Sequence, residues 1–329
     1  MYGVGCVRLL KFLLVLAILA AAAVGFYVFL PYGPSSETFV DITPGIGTAG
    51  IAEQLQRAGI IRSKFAFEAL KTFKNGSLKA GEYRFDHPVS LPEVYARLHK
   101  GDVYTLTLVI PEGYNLFDIA QAVATAGLGS QQDFLNVEQK HMELIKRWSP
   151  KATSLEGYLF PDTYKFSRHA TSLQMLTTMT KRFAQQTARL GLADGDTARV
   201  VTMASLIEKE VHIDTERPLV AGVFENRLAA SMPLQTDPAV IYASLLRGTW
   251  TGVIHQSELH SDSAYNTYAH AGLPPGPICN PGMAALKAAM HPSRTDFLYF
   301  VADAKGATRF ARTLKEHDAN VAAYRAAAR

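Results

Sequence analysis

The sequence predicts an α+β protein with an N-terminal apolar helix, a small α+β module over residues 38–104 and a larger, mainly helical domain with a few strands over residues 105–329. Three observations support this prediction. An uncharged apolar run stands near the start, strand and helix patterns alternate up to about residue 110, and helix patterns dominate after it. A length of 329 residues also favours about two domains.

Composition excludes several classes of protein. The chain is 48% apolar and 19% charged, which is a globular composition and excludes both wholesale disorder and a polytopic membrane protein. It has 33 Lys and Arg against 29 Asp and Glu, and a net charge of +4 gives no argument for a nucleic-acid partner. Two cysteines exclude a disulfide-rich scaffold and a multi-cysteine zinc module.

The first element is an apolar run from Phe12 to Leu30 without a charged residue. As a helix it would be about 28 Å long, which matches one hydrocarbon core. Arg8 and Lys11 precede it, so the positive-inside rule predicts a cytoplasmic N-terminus over residues 1–11 and export of everything that follows. A cleaved signal peptide is the alternative. Its apolar region is shorter and ends at small residues, so we favour an uncleaved transmembrane signal anchor over residues 12–30.

This topology places the two cysteines on opposite sides of a membrane. Cys6 precedes the apolar run and Cys279 follows it, so they cannot pair within one chain. Cys279 is then a small buried apolar residue. Residues 31–37 form a short polar linker that reaches only about 20 Å when extended, which keeps the exported part near the membrane.

Two stretches after the linker resemble each other. Ile42 to Ile60 and Val109 to Leu128 both contain an aliphatic residue before a proline, then Ile-Ala and a closing Ala-Gly-aliphatic. A strand that ends near the proline, followed by a short helix that the glycine terminates, explains each copy. Chance similarity of two amphipathic helices is the other interpretation.

Further elements complete the prediction. Ser90 to Glu93 form a capping pattern that opens a helix to His99. The others are a helix over Ser63 to Phe73, strands over Lys79 to Phe85 and Thr105 to Ile110, and a C-terminal helix over Thr313 to Arg325.

Candidate chemistry begins at a short apolar helix. Val200 to Ile207 is almost entirely apolar and predicts a buried helix, which ends in Glu208-Lys-Glu210. A carboxyl at the rim of an apolar wall has a raised pKa and can serve as a general acid. The two glutamates are about 200° apart around a helix, so only one can point into a given cleft, and periodicity does not choose between them. The alternative is that both glutamates are exposed to solvent at the end of the helix.

Other polar residues stand in segments that suit a sugar-binding cleft. Tyr265 and Asn266 lie in a Pro-Gly loop, where aromatic faces and amides bind sugars or simply pack the loop. Gln235 and Asp237 precede a helix, and the following proline favours Asp237 as its N-cap. Glu156 opens another dense polar segment and is a further candidate for substrate binding.

Metal and nucleotide sites are not predicted. His212, Asp214 and Glu216 alternate at a helix end, but no HExxH or helical His pair occurs. The chain has neither a phosphate-binding loop nor a G-x-S-x-G nucleophile motif. We therefore expect no metal ion and no cofactor.

Eight ordered strings resemble one family. They are EGYLFPDTY (156–164), MASLIEKE (203–210), ENRL (225–228), LQTDPAVIY (234–242), YNTY (265–268), GLPPGPICNPG (272–282), HP (291–292) and FLYFVAD (297–303). With their spacing, the chain resembles the YceG-like (MltG) family of membrane-anchored endolytic murein transglycosylases. The resemblance covers nearly the whole chain.

The resemblance implies a fold and a catalytic residue. Residues 38–104 would be a LysM-like module, and residues 105–329 a catalytic domain distantly like goose-type lysozyme. By likeness to lytic transglycosylases the acid would be Glu210, with Glu208 as the second choice. Val211 follows Glu210 where those enzymes have a small residue.

The resemblance also implies an activity and partners. The enzyme would cleave the MurNAc–GlcNAc bond of nascent peptidoglycan strands and leave 1,6-anhydroMurNAc ends, with one glutamate as acid and then base. It would sit in the inner membrane and work beside peptidoglycan synthases. A non-catalytic, membrane-tethered peptidoglycan-binding scaffold and a metal-dependent exported hydrolase are the alternatives.

Overall fold

The computed structural model describes residues 3–303 and 306–327, with side chains from Arg8 onwards. It confirms a mixed helix and sheet protein with an N-terminal apolar helix. Contacts divide the chain into two compact units, Met1–Thr105 (unit 1) and Leu106–Arg329 (unit 2). The LysM-like and lysozyme-like descriptions of the two parts stay predictions.

The apolar run forms helix α1, Gly3–Phe29. Its stretch from Arg8 to Phe29 is long and apolar enough to cross a membrane. The helix starts earlier than the apolar run, because Arg8 and Lys11 are good helix formers and need not interrupt it. The side chain of Cys6 lies outside the described residues, so the expectation about its partner is not addressed.

Unit 1 holds a two-stranded antiparallel sheet and three helices besides α1. Strand β1 (Thr38–Ile42) pairs with strand β2 (Gly81–Phe85) so that Val40 faces Tyr83. Arg62 donates hydrogen bonds to the carbonyls of Leu30 at 2.7 Å and Pro31 at 3.2 Å, just beyond the C-terminus of α1. The elements are β1 Thr38–Ile42, α2 Thr48–Arg57, α3 Lys64–Lys74, β2 Gly81–Phe85 and α4 Leu91–Lys100.

The predicted capping box of α4 does not form. Ser90 is the N-cap, but its side chain makes no capping bond. Glu93 pairs instead with Arg97, one turn further along the helix, at 2.8 Å. The Ser90 N–H and the Arg97 guanidinium are alternative donors to the Glu93 carboxylate, and the (i, i+4) ion pair forms.

Unit 2 begins with the second copy of the strand–helix pattern. Strand β3 precedes α5 as β1 precedes α2, and Gly59 and Gly127 both take a positive φ near 70° just after their helices. Both copies therefore form the predicted strand and helix, and the glycines end the helices because only they adopt this backbone freely.

The sheets of unit 2 are small, and most of this unit is helical. Strand β3 pairs with β4, and β5 with β6, all antiparallel. The elements are β3 Leu106–Ile110, α5 Leu116–Thr125, α6 Gln131–Glu138, β4 Asp162–Phe166, α7 Ser172–Leu190, α8 Thr197–Glu210, α9 Arg217–Ala229, α10 Asp237–Arg247, α11 Gln256–Leu259, α12 Met283–Met290, β5 Tyr299–Ala302, β6 Thr308–Ala311 and α13 Leu314–Ala327. Helix α8 lies in the core and packs against α9, α10 and α12.

Candidate active site

Helix α8 brings the Glu-Lys-Glu string to the edge of the unit 2 core. Its residues from Val200 to Glu208 are buried, which confirms the buried helix that the apolar run predicts. The helix ends at Glu210, because Val211 takes an extended backbone with φ −136° and ψ 135°. The two glutamates leave the helix in different directions, as a spacing of two residues requires.

Glu208 is buried, and both its carboxylate oxygens are occupied. Nη2 of Arg217 donates to Oε1 at 2.9 Å, and the N–H of Gly282 donates to Oε2 at 2.9 Å. Nε of Arg217 also donates to Asp214 at 3.0 Å. These bonds tie the last turn of α8 to the beginning of α9 and to the residue that precedes α12. Both carboxylate oxygens of Glu208 therefore form hydrogen bonds that hold the end of α8 in place.

Glu210 is half-buried and lines a cavity of about 550 Å³. Within residues 3–303 and 306–327, no group forms a hydrogen bond or ion pair with its carboxylate. Burial raises the pKa of Glu210 to about 7, the Asp237 carboxylate adds to the rise, and the Arg227 guanidinium opposes it. A carboxyl with such a pKa carries a proton in a large share of molecules at neutral pH and can also give it up.

Arg227 forms the wall of this cavity beside Glu210. Its Nε donates to the carbonyl of Leu298 at 2.7 Å, and its Nη1 donates to the carbonyls of Pro233 at 3.2 Å and Leu234 at 2.9 Å. The guanidinium carbon lies 5.2 Å from the ring centroid of Tyr299. The result is a positive charge in a fixed position, which favours the ionised form of the glutamate once its proton has left.

Gln235 and Asp237 line the same cavity, as two of the predicted site residues. The backbone of Gln235 has a φ of 54° and its N–H donates to the carbonyl of Thr267 at 3.0 Å. Asp237 is exposed and its Oδ1 accepts a hydrogen bond from the Tyr268 hydroxyl at 2.7 Å. The N-cap of α10 is Thr236 and not Asp237, so the carboxylate is available to the cavity.

Tyr265 and Asn266 are not among the residues that line this cavity. Tyr265 packs edge-on against Tyr242 at 5.2 Å, and burial raises the pKa of its hydroxyl to about 12. Asn266 is fully buried, and its Nδ2 donates to the carbonyls of Leu259 at 3.0 Å and Ser261 at 2.7 Å. These bonds close the loop after α11. Contact of either residue with a substrate stays a prediction.

Glu156 also lies away from the cavity, inside the core. The N–H of Leu116 donates to its Oε2 at 2.9 Å, and Nδ2 of Asn280 donates to its Oε1 at 2.8 Å. Burial raises the pKa of Glu156 to about 8, so it is mostly protonated at neutral pH. The carboxyl joins the loop before α12 to the beginning of α5, and its role in positioning substrate stays a prediction.

The C-terminal elements contribute residues that the sequence analysis missed. Phe300 and Val301 of β5 line the cavity, together with His317, Val321 and Arg325 of α13. The last three are spaced four residues apart and so share one face of the helix. That spacing is the signal that could have identified them, although an alanine-rich segment makes it weak.

The arrangement suits proton transfer by a single carboxyl. One carboxyl with a pKa near 7 shares a cavity with a second carboxylate, two guanidinium groups, an imidazole and a phenol. No cluster of three or more metal-ligating side chains occurs in the part of the chain that the structure describes.

Comparisons with known proteins agree with one another. The model of the YceG-like family matches residues 40–323. A protein of Bacillus subtilis (strain 168) named endolytic murein transglycosylase is 36% identical over 88% of this chain and 85% of its own length. A protein of Streptococcus pneumoniae serotype 2 (strain D39 / NCTC 7466) with the same name is 33% identical over 95% of this chain, and the match spans 64% of that protein.

A solved structure has the same fold. The crystal structure of a YceG-like protein from Listeria monocytogenes is 32% identical, with a TM-score of 0.59 over 87% of this chain and 99% of that one. Because the family model and the relatives each cover most of the sequence, the chain belongs to the YceG-like family.

Proposed function

We propose that this chain is a lytic murein transglycosylase that cleaves the MurNAc–GlcNAc bond within nascent glycan strands. The names of its relatives supply the polymer and the reaction class. The observation that carries the proposal is the state of Glu210, an unpaired carboxyl whose pKa is about 7 on the wall of a cavity. That is the condition a single acid–base catalyst requires.

In the first step, protonated Glu210 gives its proton to the bridging oxygen of the glycosidic bond. The bond between this oxygen and C1 of MurNAc breaks, and the GlcNAc side leaves with a hydroxyl. The carbonyl oxygen of the substrate's own acetamido group bonds to C1 and takes up the positive charge. No second protein carboxylate is needed as a nucleophile, in contrast to most hydrolytic glycosidases.

In the second step, ionised Glu210 takes the proton of the C6 hydroxyl. The C6 oxygen then bonds to C1 and displaces the acetamido oxygen, which closes a 1,6-anhydro ring. Glu210 is protonated again and no water is consumed. The fixed charge of Arg227 stabilises the carboxylate between the steps, while Gln235 and Asp237 bind the sugar.

The proposal includes a location. Helix α1 crosses the inner membrane once with its N-terminus in the cytoplasm, and the LysM-like module (38–104) and catalytic domain (105–329) lie outside. The support is an apolar helix of sufficient length with Arg8 and Lys11 at its N-terminal side. A short linker keeps the domain beside newly made strands, where peptidoglycan synthases are its expected partners.

The test uses the full-length protein in detergent with purified murein and mass spectrometry of the products. Wild type is expected to release fragments with 1,6-anhydroMurNAc ends, and Glu210→Gln is expected to release none while keeping its circular dichroism spectrum. Anhydro products from Glu210→Gln would move the acid to Glu208 or overturn the scheme. No products from folded wild type would favour the tethered scaffold.

A further inference from the structure

A second groove lies beside the Glu210 cavity within unit 2. It has a volume of about 630 Å³ and is lined by β3, by the loop that follows it, by α5 and by Lys209. Lys209 and Glu210 are consecutive, so their side chains diverge by about 100° around the end of α8. The groove and the Glu210 cavity are therefore lined by neighbouring residues at the end of one helix.

One wall of the groove is a single face of α5. The lining residues of this helix are Asp118, Gln121, Ala122, Thr125 and Ala126, which follow a spacing of three and four. The opposite face carries the buried residues of the helix and packs into the core. The groove face is thus the solvent side of α5. Two of its side chains have partners within the chain, since Asp118 accepts the N–H of Asn115 at 3.0 Å and Gln121 bonds to Gln131.

The other wall is strand β3. Thr107 and Val109 alternate with its buried residues, and 54% of Val109 is exposed. Strand β3 pairs only with β4 among the described strands, so its second edge carries backbone groups that no described strand satisfies. The groove thus has a strand as one wall and a helix as the other, and an extended chain can lie between them.

Charges of both signs stand at the end of the groove that α8 closes. Nζ of Lys209 lies 3.4 Å from the carbonyl of Gly113, and its side chain is exposed. Glu112 is exposed on the same loop, and its carboxylate lies against the backbone of Gly282. The rest of the lining mixes polar side chains with apolar ones, which are Leu108, Val109, Tyr114 and two alanines. The groove therefore suits a short chain that carries both charged groups and small apolar side chains.

We propose that this groove binds the peptide stem that murein glycan strands carry, an inference that rests on the proposed function. The stem is built of alanines, a glutamate with a free carboxylate and a diamino acid, so it offers methyl groups, a carboxylate for Lys209 and an amine for Glu112. It begins at the oxygen on C3 of MurNAc, two ring carbons from the C1 atom at which Glu210 acts.

The distances permit both contacts at once. The Cα atoms of Lys209 and Glu210 are about 3.8 Å apart, and an extended chain of five residues reaches up to about 17 Å. A MurNAc residue in the Glu210 cavity therefore brings its own stem within reach of the neighbouring groove. Binding of the stem in the groove would orient the sugar relative to the Glu210 carboxyl. This orientation would raise the reaction rate by more than the added binding affinity alone accounts for.

The test measures binding of the free stem peptide to full-length Glu210→Gln protein by ligand-observed NMR titration, so it does not depend on catalysis. Thr125→Trp fills the groove and is expected to weaken binding at least tenfold, as is Lys209→Met. Thr178→Trp is the matched control, because both threonines are exposed on helices and bond the carbonyl four residues earlier, at 2.9 Å and 2.7 Å.

The outcomes separate the two proposals. Saturable binding that Thr125→Trp and Lys209→Met weaken, and Thr178→Trp does not, supports the groove. No saturable binding, or equal weakening by all three variants, overturns it. If wild type releases anhydro fragments and the stem does not bind, the groove proposal fails and the proposed function stands. If the stem binds and murein is not cleaved, the proposed function fails.

Discussion

Glu208 and Arg217 form an ion pair at 2.9 Å in which only 6% and 5% of their side chains are exposed. The pair joins the last turn of α8 to the first turn of α9, so it determines where the helix end lies. Glu210, two residues further on, has no such partner among the described residues and faces a cavity. One glutamate of the string holds the position of the other.

Glu208→Gln is expected to lower the free energy of unfolding by about 3 kcal/mol, because it removes the buried charged partner of Arg217 and leaves this guanidinium paired with the exposed Asp214. Chemical denaturation measures this. Glu53→Gln is the control, since Glu53 pairs with Arg57 at the surface and its loss costs at most about 1 kcal/mol. Equal losses in the two variants would show that Glu208 does not hold the helix end.

Asp237→Asn is expected to shift the pH profile of kcat/KM. The proposed mechanism needs protonated Glu210, so kcat/KM in wild type is expected to fall as the pH rises through about 7. The Asp237 carboxylate contributes to the raised pKa of Glu210, and its removal moves this fall to lower pH. Asp262→Asn, at a fully exposed carboxylate, is the control and leaves the profile in place. An unmoved profile in Asp237→Asn would contradict the electrostatic coupling.

Glu156→Gln is expected to flatten the pH dependence of stability. Burial raises the pKa of Glu156 to about 8 in the folded chain, against about 4.3 when unfolded. Between these values the folded state binds the extra proton, so the contribution of Glu156 to stability is fully present below about pH 4 and declines as the pH rises towards 8, by up to about 1.4 kcal/mol per pH unit.

Denaturation curves at several pH values between 5 and 8 measure this slope. Glu143→Gln serves as the control, because the His141 ring lowers the pKa of that exposed carboxyl, which is then ionised throughout this range. A slope that persists in Glu156→Gln would assign it to other groups.

Asn266→Ala is expected to cost stability and not substrate affinity. The side-chain amide of Asn266 donates hydrogen bonds to the backbone carbonyls of Leu259 and Ser261. Each buried acceptor that is left unpaired lowers the free energy of unfolding by about 1–3 kcal/mol. Thermal unfolding should show a lower Tm, while KM measured well below that temperature stays within about twofold of wild type. A raised KM at an unchanged Tm would instead support the substrate-binding role that the sequence suggests.

Local patterns predicted local structure well. The uncharged run after Lys11 forms an apolar helix, both strand–helix copies form, and Val200 to Ile207 is buried in the core. Each of these features depends on the sequence within about twenty residues. The capping box at Ser90 was wrong because Glu93 had a second partner one turn away, which a motif of four residues does not include.

The two glutamates of the Glu-Lys-Glu string show what a local sequence pattern does not determine. The sequence restricted the acid to Glu208 or Glu210, since a spacing of two allows only one to enter a given cleft. The partners that distinguish them are Arg217 and Gly282, the latter more than seventy residues away along the chain. The cavity wall on α13 was missed for the same reason.

By itself, the amino-acid order determined the membrane-compatible helix, the family and the short list of acidic residues, because hydropathy, periodicity and ordered strings are read along the chain. Only the tertiary structure decided which carboxylate is paired and which is left alone in a cavity. A pKa depends on burial and on charges within a few ångströms, and those neighbours come from helices that folding brings together.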